Sequence, residues 1–414
     1  MLPAAGGPTA RSSGVVLEEL IAVPIDVGKH SAMAKVLDFT GATLVKPFTF
    51  DLDRRGVAKL VGTVRRALPA PVSVVRVGLE AAGHYHLPLA GGVLPAEWEL
   101  VVLNPGHVAT QRKVNGKRGV KTDQVDLAAI AELLLLGLGR PAPSYAEAIQ
   151  DLAGWVGHRH RRGLVRRRTI QQLTTHVDRC FPGLGTAVWS VALSASGRLI
   201  CTELPDPTRV SRLGPVRLRA FAARRGVRMT RPLAERIVEA ARQSLPVPGA
   251  EVARHLLACD LGLLARLDAE IDAAEEQITA LLPLTPYGVL TSVPGWGPVR
   301  AAAYGAAVGD PERWHSAQAV YRAAGLTPRL YQSSGTMRHG HITREGSAVL
   351  RAALVDLGLG LWHTEPGAKT YGQALRARGK PGPVIVTAMA NRANRIAFAM
   401  VRDKRPWEAG LWAA

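Results

Sequence analysis

The chain has 414 residues, 47% of them hydrophobic, and 52 Lys and Arg against 33 Asp and Glu, a formal charge of +19. That length allows two or three domains with sizeable cores, and the cationic excess favours a polyanionic partner, most simply nucleic acid. Three widely spaced cysteines, Cys180, Cys201 and Cys259, with no CxxC pair argue against a zinc ribbon or a disulfide framework and for a reducing cytoplasm.

Residues 1–18 lack the apolar core of a signal peptide and read as a disordered tail. The most apolar run, AELLLLGLG, is too short to span a bilayer and contains Glu132, so no membrane partner is expected. From residue 19, ELIAVPID reads as a strand ending in Asp26, VGKH as a turn and SAMAKVLDF as a second strand. Val57, Leu60, Val61, Val64 and Leu68 then follow helical spacing. PVSVVRVGLE is a β-branched, buried-type strand ending in Glu80, and WELVVLNP is another strand closed by Asn-Pro. A basic stretch with Arg112, Lys113, Lys117, Arg118 and Lys121 reads as a loop, and TDQVDLAAIAELLLL as a helix with Thr122 at its N-cap. The order β-β-α-β-α-β-α over 19–144 predicts an α/β unit with a mixed sheet.

Residues 145–182 read as a long helix or helical pair; from His158 onward it carries Arg159, Arg161, Arg162, Arg166, Arg167 and Arg168, with no acid before Asp178. Six arginines without acids are costly to hold together unless anions neutralise them, so this face reads as a phosphate track. Residues 183–250 are rich in Pro and Arg, poorly periodic, and read as an irregular connector with short helices. Leu264, Leu267, Ile271, Ala274, Ile278 and Leu281 are spaced 3,4,3,4,3, a coiled-coil seam that predicts self-association or a bundle. The domain 145–286 thus joins an Arg-rich helix, a connector and a coiled coil.

The last domain, 287–414, reads as all-α, with a helix-hairpin-helix-like element at Pro294-Gly295-Trp296-Gly297. There the amides around Gly295 and Gly297 would face a phosphate at a helix start. A polar, Gly-rich loop follows with Ser333, Ser334 and Gly335, then Arg338, His339, His341, Thr343 and Arg344. A serine among cations can attack phosphorus while arginines stabilise the developing charge.

Asp26 and Glu80 end apolar strands, and Asp123 and Asp126 share one face of a helix start at i, i+3. Four convergent carboxylates repel one another unless a cation lies between them, and hard ions such as Mg²⁺ or Mn²⁺ take such oxygens. The basic loop beside them, with Gly116 and Gly119, suits close approach of a phosphate.

In this order the blocks PIDVGKH, VGLEAAGHYHLPLA and VVLNPGHVATQRKVNGKRGVKTDQVDLAAIA resemble the DEDD-type insertion-sequence transposases related to the Piv DNA invertases. SVPGWGPVRAAAYGAAVGDPERW and QSSGTMRHGHITREGSAVLRAAL resemble that family's second domain. The resemblance implies a RuvC-like, ribonuclease-H-like first domain with a metal-binding tetrad at Asp26, Glu80, Asp123 and Asp126, and a nucleophilic serine at Ser334, with Ser333 as rival. It further implies strand transfer between donor and target DNA and a structured guide RNA. Since exchange needs several active subunits, the coiled-coil seam is expected to join a homo-oligomer, dimer or tetramer. Leu127 stands where relatives usually have a small residue after the last acid. The alternatives are a RuvC-like endonuclease using metal-activated water and a non-catalytic nucleic-acid-binding protein.

Overall fold

The computed structural model describes residues 20–69, 74–81, 84–116, 122–141, 147–333, 336–409 and 412. The chain divides into two units, residues 1–144 and 145–414. The first opens with three antiparallel strands, β1 (Leu20–Val27), β2 (Ser31–Leu37) and β3 (Thr43–Asp51). Helix α1 (Arg54–Ala67) starts where the Asp53 carboxylate accepts from the Gly56 amide, an N-cap that satisfies one orphan donor. Strand β4 (Val74–Glu80) runs parallel beside β1, the single turn α2 (Leu87–Ala90) follows, and β5 (Glu99–Leu103) lies parallel to β4. Helices α3 (Pro105–Val114) and α4 (Asp123–Leu135) come next, then the two-residue β6 (Arg140–Pro141), antiparallel to β5. The sheet order is β3-β2-β1-β4-β5-β6, the mixed sheet expected.

Successive side chains of a strand face opposite sides, and the two faces are buried differently. Val23, Ile25, Val77 and Leu79 pack with Leu60 and Val64 of α1. Ala22 and Leu37 pack with Ala131 of α4 on the other face. Gly78 belongs to that second face: a Cβ there would stand 2.5 Å from Leu134, so α4 lies directly on the β4 backbone.

Two elements of this unit depart from expectation. The sequence shows no strand at β3 because it is an edge strand whose only fully buried side chain is Phe50, so alternation is faint. Asn104-Pro105 does not simply close a strand. The Asn104 side chain accepts from the Gly106 amide and Pro105 takes the first helical position, so the pair opens α3. Arg112 and Lys113 therefore sit on a helix and not in a loop.

The second unit is built on two long helices. In order come α5 (Glu147–Cys180), α6 (Leu184–Ala187), α7 (Ala195–Glu203), α8 (Pro207–Ala223), α9 (Arg231–Gln243) and α10 (Ala250–Leu281). α5 and α10 pack along each other. At one end Ile149 and Leu152 meet Ile278, and at the other Leu173 and Val177 join Leu257 and Leu264. The predicted self-association seam is thus filled within the chain. Leu264, Leu267, Ala274 and Ile278 are buried.

Residues 183–250 also correct the connector reading. α6 to α9 pack through Ile200, Val210, Leu218, Ile237 and Val238 into one core with Leu173 and Val177 of α5 and Leu257 and Leu264 of α10. The helical period is hidden in sequence because α8 is kinked at Gly214, which takes φ 67°, with Pro215 next to it.

Turns over 286–292 lead into α11 (Pro298–Val308) and α12 (Ala317–Ala323). An antiparallel hairpin of β7 (Pro328–Ser333) and β8 (Thr336–Ile342) stands where a polar loop was expected. Helices α13 (Ala348–Thr364), α14 (Pro366–Ala377) and α15 (Gly382–Asp403) close the chain. Tyr287, Trp296 and Tyr304 are the largest fully buried side chains in this core. Among the described residues, no helix is long and apolar enough to cross a membrane.

Candidate active site

The β1–β4 register runs from Leu20 beside Val74 to Ile25 beside Leu79. One residue further along, Asp26 stands beside Glu80, on strands separated by about 4.8 Å. By alternation from Ala22 and Gly78, both acids belong to the sheet face that α4 covers. The last turn of α4 touches Gly41 through Leu135 and Gly78, two residues before Glu80, through Leu134. The sheet register brings Asp26 and Glu80 side by side, and Asp123 and Asp126 open the helix that packs on the same sheet face. Sequence spacing alone had no access to this pairing of Asp26 with Glu80.

Thr122 caps α4, its hydroxyl accepting from the Val125 amide at 3.3 Å. A helix N-terminus favours acids in its first turn, where Asp123 is exposed and Asp126 only 3% exposed. Arg112 of α3 forms an ion pair with the buried Asp126 carboxylate. One turn and a half further along α4, Glu132 accepts from Gln111 at 2.8 Å and from Asn115 at 2.7 Å. The last turn of α3 is thus clasped to α4 at two carboxylates. Gln111, Asn115 and Glu132 were absent from the sequence-derived site. The available signal was Glu132 itself, a lone acid inside an apolar helical run that needs a partner once α4 packs.

Carboxylate oxygens are the donors a hard divalent cation takes. Among the described residues, however, no three acids, histidines or cysteines stand close enough together to hold a metal ion. Asp126 is engaged by Arg112 in this arrangement. Lys117, Arg118 and Lys121 lie outside the described residues, while Lys113 is exposed at the end of α3.

In the second unit, Ser333 ends β7 and Ser334 lies outside the described residues. Arg338 is on β8. Arg344 is exposed and takes φ 56°, its amide bonded to the Gly325 carbonyl at 3.0 Å. Gly295 does not present its backbone as the hairpin reading expects. It takes φ 81°, and a Cβ there would stand 2.6 Å from the Gly360 carbonyl, so α13 covers it. Trp296 beside it is buried and donates to the Leu357 carbonyl at 2.8 Å. Gly297, which starts α11, is exposed with open space around it.

The arginines of α5 fall into two groups. Arg159, Arg162 and Arg166 pair with Glu275, Glu270 and Asp268 of α10, at 2.6, 2.6 and 2.5 Å. The acid-free run is therefore half neutralised by a partner helix about 100 residues away in sequence. Arg161, Arg167 and Arg168 are exposed and take no ion pair among the described residues. They are what remains of the expected phosphate track.

A DEDD-type family model of the IS110 kind, described as "Transposase", matches residues 23–182. A second, described as "Transposase IS116/IS110/IS902 family", matches residues 287–373. The chain is 28% identical over 388 residues to the insertion element IS116 uncharacterized 44.8 kDa protein of Streptomyces clavuligerus, covering 92% of this chain and 95% of that one. It is 33% identical over 210 residues to the insertion element IS110 uncharacterized 43.6 kDa protein of Streptomyces coelicolor, with 48% and 51% covered. It is also 27% identical over 148 residues to the pilin gene-inverting protein of Moraxella bovis, with 33% and 45% covered. The match thus spans nearly all of one relative and about half or less of the other two.

Proposed function

The chain carries the transposase domains of the IS110/IS116 insertion-element family, and from that premise we propose that it cuts and rejoins DNA strands with four carboxylates and a serine. What supports this is the register that sets Asp26 beside Glu80, on the sheet face covered by α4, the helix that begins with Asp123 and Asp126. These four residues would hold Mg²⁺ or Mn²⁺, which when bound polarises the scissile phosphate. The Ser334 hydroxyl attacks phosphorus. Its proton leaves, an Oγ–P bond forms, and the bond to one strand's oxygen breaks. A hydroxyl of the partner strand then displaces the serine. Arg338 and Arg344 follow Ser334 in sequence and suit the charge that develops.

Sequence choice falls to a structured RNA that pairs with donor and target DNA, leaving the protein to grip backbones. What supports this is the family resemblance, together with the excess of arginine. Lys113, Arg161, Arg167 and Arg168 are exposed and suited to that grip. Exchange needs several active subunits, so a dimer or tetramer is part of the reading. Its contacts must use surfaces other than the α10 seam already covered by α5.

The test is trapping of a covalent protein–DNA adduct with the full chain, donor and target DNA, co-expressed flanking RNA and Mg²⁺. An adduct lost in Ser334→Ala, and lost in Asp26→Asn, is the expected result. Cleavage to free ends without an adduct, unaffected by Ser334→Ala and Ser333→Ala, would replace the serine by metal-activated water. Unaltered activity in Asp26→Asn would remove the carboxylate site.

A further inference from the structure

Residues 207–234 carry eight arginines and no acid. This run covers α8, the turn after it and the start of α9. Three of the eight are occupied. Arg225 pairs with Glu203 at 2.5 Å and stacks on the Phe221 ring, Arg231 pairs with Glu235 at 2.8 Å, and Arg219 donates to the Met229 carbonyl at 3.3 Å. The other five, Arg209, Arg212, Arg217, Arg224 and Arg228, are exposed and take no ion pair among the described residues.

The fold explains why these five point outward. α8 buries Val210, Leu218 and Ala222 in the core it shares with α9. Arg217 and Arg224 are two turns apart and so lie on one face of α8, while Arg209 and Arg212 are one turn apart before the Gly214 kink. Along the helix, the distance from Arg209 to Arg224 is about 20 Å, which matches roughly six base-pair steps of B-DNA.

We propose that this α8 face is a second nucleic-acid surface, which grips the phosphate backbone of duplex DNA. Charge complementarity is the argument. Five guanidinium groups without counter-ions repel one another, and a duplex supplies a phosphate about every 1.7 Å of axis. The residue types favour a duplex over the alternatives. Single strands are usually held on exposed aromatic platforms, and the one aromatic of α8, Phe221, is half-buried beneath Arg225. A protein partner would want an apolar centre to the patch, whereas Val216 is the large exposed apolar residue of α8. The choice of DNA over duplex RNA rests on the transposase reading.

The experiment measures anisotropy of a labelled 30-base-pair duplex with the full-length chain at several salt concentrations. For Arg212→Gln/Arg217→Gln/Arg224→Gln, the slope of log K against log salt becomes shallower by about 3, roughly one per arginine removed. The corresponding triple lysine variant keeps the wild-type slope. Thermal melting of the glutamine variant shows that it remains folded, because these side chains are exposed. An unchanged slope in the glutamine variant overturns the proposal while leaving the transposase reading intact. Failure of the wild-type chain to bind any duplex counts against the transposase reading itself. Duplex RNA that outcompetes the DNA on the wild type, and loses that advantage in the variant, also overturns the assignment to DNA.

Discussion

Arg112, on the last turn of α3, holds the carboxylate of Asp126 on the first turn of α4. Asp126 is 3% exposed, so this pair is largely out of water. Removing one partner of a buried pair leaves the other as an uncompensated charge, which costs about 3–5 kcal/mol. Arg112→Met is therefore expected to lower the melting temperature of the chain strongly. Arg112→Met/Asp126→Leu is expected to recover much of the loss, because it leaves no charge behind. Calorimetry decides: equal destabilisation by the single and the double variant would show that the ion pair is not what Arg112 contributes.

The same pair bears on cation binding. If Asp126 joins Asp26 and Glu80 around a divalent ion, it must share or leave Arg112. In thermal-shift titrations with Mn²⁺, Arg112→Met should be stabilised more than wild type, since ion and guanidinium no longer compete for one carboxylate. An identical shift in both proteins would mean that Asp126 does not reach the ion.

Gly78 sets how close α4 comes to the sheet. A Cβ at this position would stand 2.5 Å from Leu134. Gly78→Val overpacks a full interface, and overpacking costs about 1–3 kcal/mol. The expected signature is a lowered melting temperature, with strand transfer losing more than stability accounts for, because α4 carries Asp123 and Asp126. Gly78→Val with wild-type melting would mean that the helix can ride up without penalty.

The split between what could be read in sequence and what could not follows residue by residue. Apolar runs ending in Asp26 and Glu80 announced two buried strands, because β1 and β4 are central and covered on both faces. The edge strand β3 is mostly exposed and left no such trace. Thr122 with its first-turn acids marked the start of α4, because capping is a local interaction. The clasp of Arg112 and Glu132, the covering of Gly295 by α13 and the neutralisation of Arg159, Arg162 and Arg166 are contacts between distant segments. A charge pattern read along one helix cannot show that a second helix supplies the counter-ions.

Burial separates the three thiols. Cys180 and Cys201 are buried, and burial pushes their thiols up to about 11 and about 12, while Cys259 is exposed. At pH 8 a maleimide should label Cys259 alone in the native chain and all three after denaturation. The sign for stability follows from the same shifts. An unfolded thiol ionises near 8.5, whereas the folded ones stay neutral, so their contribution is complete below that pH. It is lost as pH rises toward about 11 and about 12. Cys180→Ala/Cys201→Ala should flatten the alkaline decline in melting temperature, and an equally steep decline would assign it to other groups.

Asp268 receives two arginines, Arg166 of α5 at 2.5 Å and Arg198 of α7 at 2.8 Å, and so ties α7 to both long helices. Burial raises its carboxyl, but hydrogen bonds from Arg166 and Arg198 outweigh this and hold it below the usual range. A lowered carboxyl contributes stability above its unfolded value, near 3.9, and that stability is lost as pH falls through the folded value. Asp268→Asn is thus expected to lower the melting temperature at pH 7 and to narrow its difference from wild type below pH 4. The same geometry separates the α5 arginines by task. Arg166→Gln should reduce stability and leave the salt slope of duplex binding unchanged, because its charge is already spoken for. Arg167→Gln/Arg168→Gln should leave melting unchanged and make the slope shallower by about 2. The reverse pattern, with Arg166 governing the slope, would mean that the ion pairs with α10 open when DNA binds.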